Sequence, residues 1–140
     1  MAERAPPRHS QVAVGDELPP LAMPPVSRLM LALYCGASGD HNPLHVDQDF
    51  ARAAGLGDVV AHGMLVMAWM GRTLTNWVPQ AAIREFGTRF QAMTRVGDAI
   101  TCTARITHKH DDHTVGVAVE ARDQRGELKA AGEALIALPP

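Results

Sequence analysis

The stretch Gly63-Met64-Leu65-Val66-Met67-Ala68-Trp69-Met70-Gly71 decides the architecture. Every residue from Met64 to Met70 is apolar, the pattern of a helix buried on most of its faces. The helix is expected to run from Gly63 to Val78, where Pro79 stops it. In its second half Leu74, Trp77 and Val78 keep only one apolar side. The apolar run is too short to cross a bilayer and ends at Arg72. Inside one small domain such a helix needs a sheet wrapped around it.

The chain downstream supplies that sheet. Residues 99–109 alternate cleanly, with Ile100, Cys102, Ala104 and Ile106 against Thr101, Thr103, Arg105 and Thr107. A polar turn at His110 to His113 leads into Val115, Val117 and Val119 at the same period. A second turn, Asp123-Gln124-Arg125-Gly126, leads into Leu128 to Leu138, and a weaker strand signal covers residues 82–92 with Phe86 and Phe90 on one face. Short polar turns join antiparallel neighbours, so the C-terminal half reads as an antiparallel meander and the class as α+β. One buried helix in a curved antiparallel sheet describes a hot-dog fold. At this size the sheet would keep an open edge and uncovered apolar surface, so a symmetric dimer is expected.

Upstream, residues 1–10 read as a flexible tail and residues 11–140 as the domain. Ser27 is placed to cap a helix from Arg28 to about Ala37, with Leu29, Met30, Leu33 and Tyr34 at helical spacing and Gly36 and Gly39 ending it. Asp47 is placed to cap a short helix, Gln48 to Ala54, closed by Gly55.

Composition limits what such a domain does. The chain has 140 residues, 46% hydrophobic and 20% charged, which is globular rather than disordered. A net charge of −2 gives no general attraction to nucleic acid or to an anionic membrane. Cys35 and Cys102 match no metal-binding spacing and sit in apolar surroundings, so they read as buried free thiols of a reducing, cytoplasmic compartment. The N-terminal ten residues carry charge and proline but no apolar core, and are not expected to act as a signal peptide. Seven histidines against thirteen Lys and Arg is a high share for a residue often used in chemistry.

The polar loop between the first two helices holds the densest chemistry. Gly39-Asp40-His41-Asn42-Pro43-Leu44-His45 sets a carboxylate and an imidazole five residues apart in a loop stiffened by Pro43. Held across one small cavity, Asp40 and His45 could share a water, one taking a proton and the other giving one. Asn42 is suited to bonding the loop backbone. A solvated, Asx-rich turn with incidental histidines explains the spacing equally well. Farther on, Gly63 stands in the first turn of the long helix, where unpaired N–H groups suit a developing oxyanion and a missing Cβ lets a carbonyl approach. His62 beside it reads as a packing or capping residue.

At these residues the chain resembles a known family. Tyr34-Cys35-Gly36-Ala37-Ser38 followed by the Gly39 to His45 loop, with Ala61-His62-Gly63-Met64 downstream, is similar to the MaoC-like hydratases, which include (R)-specific enoyl-CoA hydratases and small (3R)-hydroxyacyl-ACP dehydratase subunits. The resemblance runs from Val14 to Leu138 and takes in Gly15-Asp16, Gly97-Asp98 and Gly132-Glu133-Ala134. It implies a hot-dog domain holding an acyl thioester beside its central helix. It implies Asp40 and His45 as the catalytic pair that activates water, and the Gly63 N–H as the donor to the thioester carbonyl. The product would be an (R)-3-hydroxyacyl thioester, and the reverse reaction a dehydration. CoA or phosphopantetheine would enter as part of the acyl-CoA or acyl-carrier-protein substrate, with no separate cofactor and no metal. One departure stands out: some relatives carry serine where this chain has Gly71, which would remove a supporting hydrogen bond and open the pocket wall.

Other features read more plainly. Met64, Met67, Trp69 and Met70 are better explained as core than as an acyl-cavity lining. His108 to His113 is expected to be a solvated turn rather than a metal site. Arg84, Arg89 and Arg95 are candidates for a carrier phosphate, although arginines on a strand face are usually just solvated. No glycine-rich phosphate loop is present, so no nicotinamide or flavin is expected. A hot-dog thioesterase and one subunit of a heterodimeric dehydratase are the competing readings; retention of both Asp40 and His45 argues for an active hydratase.

Overall fold

The computed structural model describes residues 5–140. The alternating segments form strands β3 (Thr101–Lys109), β4 (Thr114–Arg122) and β5 (Leu128–Ala137), joined as the expected antiparallel meander. Before them come β1 (Leu21–Ala22), α1 (Arg28–Ser38), α2 (Gln48–Ala53), α3 (Gly63–Thr75) and β2 (Ile83–Phe90). The sheet order is β1-β3-β4-β5-β2, antiparallel throughout, so β2 is one edge. Helix α3 packs against all five strands. This is the α+β hot-dog arrangement.

Register explains the core. Ala104 pairs with Val119, Val119 with Gly132, and Gly132 with Thr88, so one row of small and β-branched residues faces α3 across the sheet. Ile106, Val115, Val117, Val119 and Ile136 from the strands meet Met70 and Leu74 of α3, all fully buried.

Four local expectations change. Helix α3 ends at Thr75 rather than Val78; Trp77 and Val78 turn back, their N–H groups donating to the Leu74 carbonyl. Nor is α3 covered all round, because Met64 is 54% exposed and Ala68 is exposed while Met67 and Gly71 are partly covered. That strip runs beside the free edge of β2, so the sheet of one chain stops short of enclosing its helix. On α1 the buried residues are Leu31 and Cys35, whereas Leu29 and Leu33 face outward at 70% and 66% exposure. Gly36 lies within α1, and Gly39 alone ends it in the left-handed conformation, φ 76°.

Both expected caps form: the Ser27 side chain accepts from the Met30 N–H and the Asp47 side chain from the Phe50 N–H. In the stretch read as tail, residues 1–4 lie outside the described residues. At its inner end His9–Gln11 make a 3-10 turn whose His9 N–H donates to the Pro139 carbonyl. No helix among the described residues is long and apolar enough to cross a membrane.

One feature was not read from the sequence. Lys129, only 2% exposed, sits among Asp98, Asp123 and Glu127, with Nζ 3.4 Å from Asp98, 3.6 Å from Asp123 and bonded to Glu127. It also donates to the Met93 carbonyl at 3.0 Å. Arg125 closes the network, 3.0 Å from Asp98 and 2.6 Å from Asp123.

Candidate active site

The loop after α1 is shaped by its own polar side chains. Ser38 Oγ accepts the Asp40 N–H, Asp40 Oδ1 accepts the Asn42 N–H, and Asn42 Oδ1 accepts the Leu44 N–H, capping a 3-10 turn over Pro43–His45. Each is an Asx- or Ser-type turn, which is why Ser, Asp and Asn recur at these positions. Asn42 therefore sits where loop support was expected.

The turn brings Asp40 and His45 together. Their Oδ2 and Nε2 atoms lie 3.9 Å apart, beyond direct hydrogen-bond length and short enough for one water to touch both. Asp40 is half exposed, whereas the His45 side chain keeps 13% of its surface. His45 Nδ1 is 2.7 Å from the Val60 carbonyl, an acceptor, so Nδ1 carries the proton and Nε2 turns its lone pair toward Asp40. The Val60 N–H in turn donates to the Leu44 carbonyl at 3.1 Å, fastening the loop to the chain that enters α3.

His62 is the residue the sequence reading underrated. It is 1% exposed and stacks on His45, ring centroids 3.6 Å apart and planes 24° apart. Its Nε2 lies 3.2 Å from the Asp40 main-chain carbonyl and 3.4 Å from Cys35 Sγ, and Tyr34 meets the ring edge-on at 4.7 Å. Nδ1 is buried with no hydrogen-bond partner among the described residues. Burial above all pushes this imidazole below the ordinary 6.5; the Asp40 carbonyl pulls it up, and the neighbouring His45 pushes it down. The sequence marked it only as a packing or capping residue at the start of the long helix, within Ala61-His62-Gly63-Met64.

Asp40, His45 and His62 offer possible ligand atoms within 4.8 Å of one another. Stacked rings aim their in-plane lone pairs side by side rather than at a common point, and His62 Nε2 is taken by the Asp40 carbonyl. That geometry suits proton chemistry better than metal coordination.

Gly63 opens α3, and its N–H belongs to the first turn, whose amides have no acceptor within the helix. A Cβ there would stand 3.1 Å from the Phe90 ring. Ala61, Gly63, Val66, Phe90 and Met93 line a cavity of about 410 Å³ beside it. A larger hollow of about 1120 Å³ lies over β2 to β5, and neither cavity is lined by residues of the Asp40 to His45 loop. At Gly71 the Phe86 ring stands 3.5 Å from where a Cβ would be, an ordinary van der Waals distance. Trp69 and Met70 are buried core, as the plainer reading held, while Met67 is partly covered and Met64 is half exposed.

Of the three arginines, Arg95 alone adjoins this region, bridged through its backbone to Val60; Arg84 and Arg89 are exposed on β2. The His110 to His113 turn is exposed, with Asp112 accepting from Thr114. Cys35 and Cys102 are buried free thiols, and burial pushes the Cys102 thiol up to about 11.

Comparison with known proteins places the chain in a family. The family model described as MaoC like domain matches residues 11–126. An (R)-specific enoyl-CoA hydratase of Rhodospirillum rubrum is 28% identical over 116 residues, covering 81% of this chain and 81% of that protein. The (R)-specific enoyl-CoA hydratase of Aeromonas caviae is 29% identical over 112 residues, covering 78% and 84%. Among solved structures, the unliganded R-hydratase PhaJ1 of Pseudomonas aeruginosa superposes with a TM-score of 0.84 at 25% identity, covering 94% of this chain and 85% of that one.

Proposed function

Because this chain belongs to the MaoC-like domain family, a family of hydro-lyases acting on acyl thioesters, we propose that it adds water to trans-2-enoyl thioesters, or removes it from (3R)-hydroxyacyl thioesters, through Asp40 and His45. The observation that carries this is the facing of Asp40 Oδ2 and His45 Nε2 at 3.9 Å, with His45 fixed in one tautomer by Val60. A water held between these two acceptors loses one proton to the pair as its oxygen bonds to Cβ. The electrons of the double bond move to the thioester carbonyl oxygen, to which the Gly63 N–H donates a hydrogen bond at the positive end of α3. The pair then returns a proton to Cα, so one water is added in all. Delivery of both groups from one side of the substrate gives the (R) product.

The pairing of Asp40 with His45 across the Asn42-Pro43 turn supports hydration at Cβ over thioester hydrolysis. CoA or phosphopantetheine belongs to the substrate, and no separate cofactor is needed. The net charge of −2 offers no basic landing surface for an acidic carrier protein, which favours CoA as carrier. The uncovered strip of α3 and the free edge of β2 suit pairing with a second copy, and a related chain in a heterodimer would use the same edge. Two buried unpaired thiols fit a reducing cytoplasm.

The test is purified protein with crotonyl-CoA, following loss of the enoyl absorbance and formation of 3-hydroxybutyryl-CoA. Asp40→Asn and His45→Ala should each lower kcat/KM by about 10²–10⁴-fold. Full activity in both variants overturns the mechanism, and release of free thiol without the hydroxyacyl product assigns a thioesterase.

A further inference from the structure

Asp40 lies in a loop with its side chain half exposed, yet it must be held to within a fraction of an ångström for a shared water to be useful. Its own turns fix the loop's internal shape but do not tie the loop to the rest of the protein. Val60 ties the His45 end, through its carbonyl to His45 Nδ1 and its N–H to the Leu44 carbonyl, and one side chain touches both members of the acid–base pair. His62 Nε2 lies 3.2 Å from the Asp40 carbonyl, and the His62 ring lies under His45 with centroids 3.6 Å apart.

The tautomer of His62 follows from its neighbours. The Asp40 carbonyl only accepts, so Nε2 must carry the hydrogen, with Cys35 Sγ at 3.4 Å as a weak second acceptor. Nδ1 is left with a buried lone pair and no hydrogen-bond partner among the described residues. A second proton there would find no acceptor and would set a cation face to face with His45. The groups around the ring are Tyr34 and Cys35 from α1, Asp40 from the loop and His45 from the turn, and only Asp40 favours a charge.

We propose that His62 is a positioning residue for this reaction: a buried imidazole that holds Asp40 by its main chain and backs the ring of His45, which Val60 fixes from its other side, so that one side chain braces both acceptors at their separation. This rests on the Asp40/His45 reading above. It adds that His45 is the imidazole of the stacked pair that changes charge during turnover, with His62 serving as a fixed floor.

Two substitutions separate the contacts. His62→Phe keeps a flat ring under His45 and loses the donor to Asp40, whereas His62→Gln keeps a donor at nearly the same reach and loses the stack. Each should lower kcat for crotonyl-CoA by about 10- to 100-fold while KM moves by no more than about twofold, since the loss lies in alignment rather than in binding. Because His62 acts through Asp40, adding His62→Phe to Asp40→Asn should cost little beyond Asp40→Asn alone. A full multiplicative loss in that double variant overturns the proposal, as does kcat within about twofold of wild type in both single variants.

Nitrogen-15 NMR of the histidine rings in the wild-type protein gives a check that needs neither activity nor variants. His62 should appear as the Nε2–H tautomer and take up its second proton only below the pH at which an ordinary imidazole does, while His45 appears as Nδ1–H when neutral. A His62 that carries its proton on Nδ1, or that titrates near the ordinary value, overturns the proposal even if the enzyme is active. A wild-type protein that fails to hydrate crotonyl-CoA while showing these tautomers overturns the function and leaves the geometry of His62 standing.

Discussion

Gly132 on β5 lies so close to β2 that a Cβ built on it would sit 2.1 Å from the carbonyl oxygen of Gly87 and 2.8 Å from Thr88 Oγ1. The first of these is backbone, which cannot swing aside without breaking the β2–β5 ladder. Gly132→Ala should therefore destabilise the fold by about 1–3 kcal/mol, the usual cost of forcing extra volume into packed structure. Gly87→Ala is the control, since a Cβ there meets nothing within 4 Å. Urea denaturation that shows equal midpoints for the two variants would remove close approach as the reason for glycine at 132.

Lys129 is an ammonium held among three carboxylates and a carbonyl with almost no contact with water. Burial alone would lower its pKa, but the surrounding carboxylates reverse this and raise it. Lys129→Met keeps most of the volume and leaves Asp98 and Asp123 close together with only Arg125 to offset them. Such a change should cost about 3–5 kcal/mol, because the charges left behind stay buried. Chemical denaturation measures it, and a loss under about 1 kcal/mol would show that water and Arg125 satisfy the acids unaided.

The parts of this fold that follow a period were legible in the sequence. Alternation over residues 99–109 and 114–122 marked β3 and β4, and Ser27 and Asp47 marked helix starts by a local hydrogen bond that their own side chains make. The Asp40 to His45 loop was legible for the same reason, since each turn in it is closed by a neighbour one or two positions away. What depends on distant chain was not. Leu29 and Leu33 have the right spacing for burial, but the neighbours of α1 cover its Leu31 and Cys35 side instead. His62 gives no sign in sequence that it lies under His45, seventeen residues earlier, because the stack exists only once Val60 pairs with Leu44. Lys129, Asp98 and Asp123 likewise come from two turns and a strand that only folding brings together.

Gly63 joins the helix start to the cavity beside it. An alanine there would bring its Cβ to 3.1 Å from Phe90, whose ring is 52% exposed and free to move outward. Stability should then change by less than about 1 kcal/mol, within the range of substitutions away from the core. Turnover should suffer more, because the methyl group and the displaced ring crowd the approach of a thioester carbonyl to the N–H; kcat/KM for crotonyl-CoA should drop by about 10²-fold, in line with loss of one oxyanion donor. Unchanged kcat/KM in Gly63→Ala would place the carbonyl elsewhere.

Met64, on the uncovered strip of α3, is 54% exposed, and Phe90 at the end of the edge strand is 52% exposed. If a second copy covers them, Met64→Arg puts a charge into an apolar interface at little cost to the single chain, where the side chain already reaches water. The variant should sediment as a monomer at concentrations where wild type is a dimer, with its circular dichroism unchanged. Identical sedimentation of the two proteins would move the interface away from this strip.

Acid should reveal how much of the fold rests on Asp123. Burial by itself would raise this carboxyl, but the Arg125 guanidinium, the N–H groups of Glu127 and Arg125 and the charge of Arg125 outweigh it and hold the group at about 2, below the ordinary 3.8. A carboxyl whose folded pKa lies below its unfolded one binds fewer protons when folded, so stability rises with pH across the interval between the two values. The contribution of Asp123 is therefore complete above the unfolded value and fades as the pH falls toward the folded one. Other carboxylates titrate in the same interval, so the informative quantity is the difference between wild type and Asp123→Asn. That gap in urea midpoint should be constant at and above about pH 5 and should narrow steadily from about pH 4 to about pH 2. A gap that stays the same width through that interval would mean that the Asp123 carboxyl is not held down by the Arg125 network.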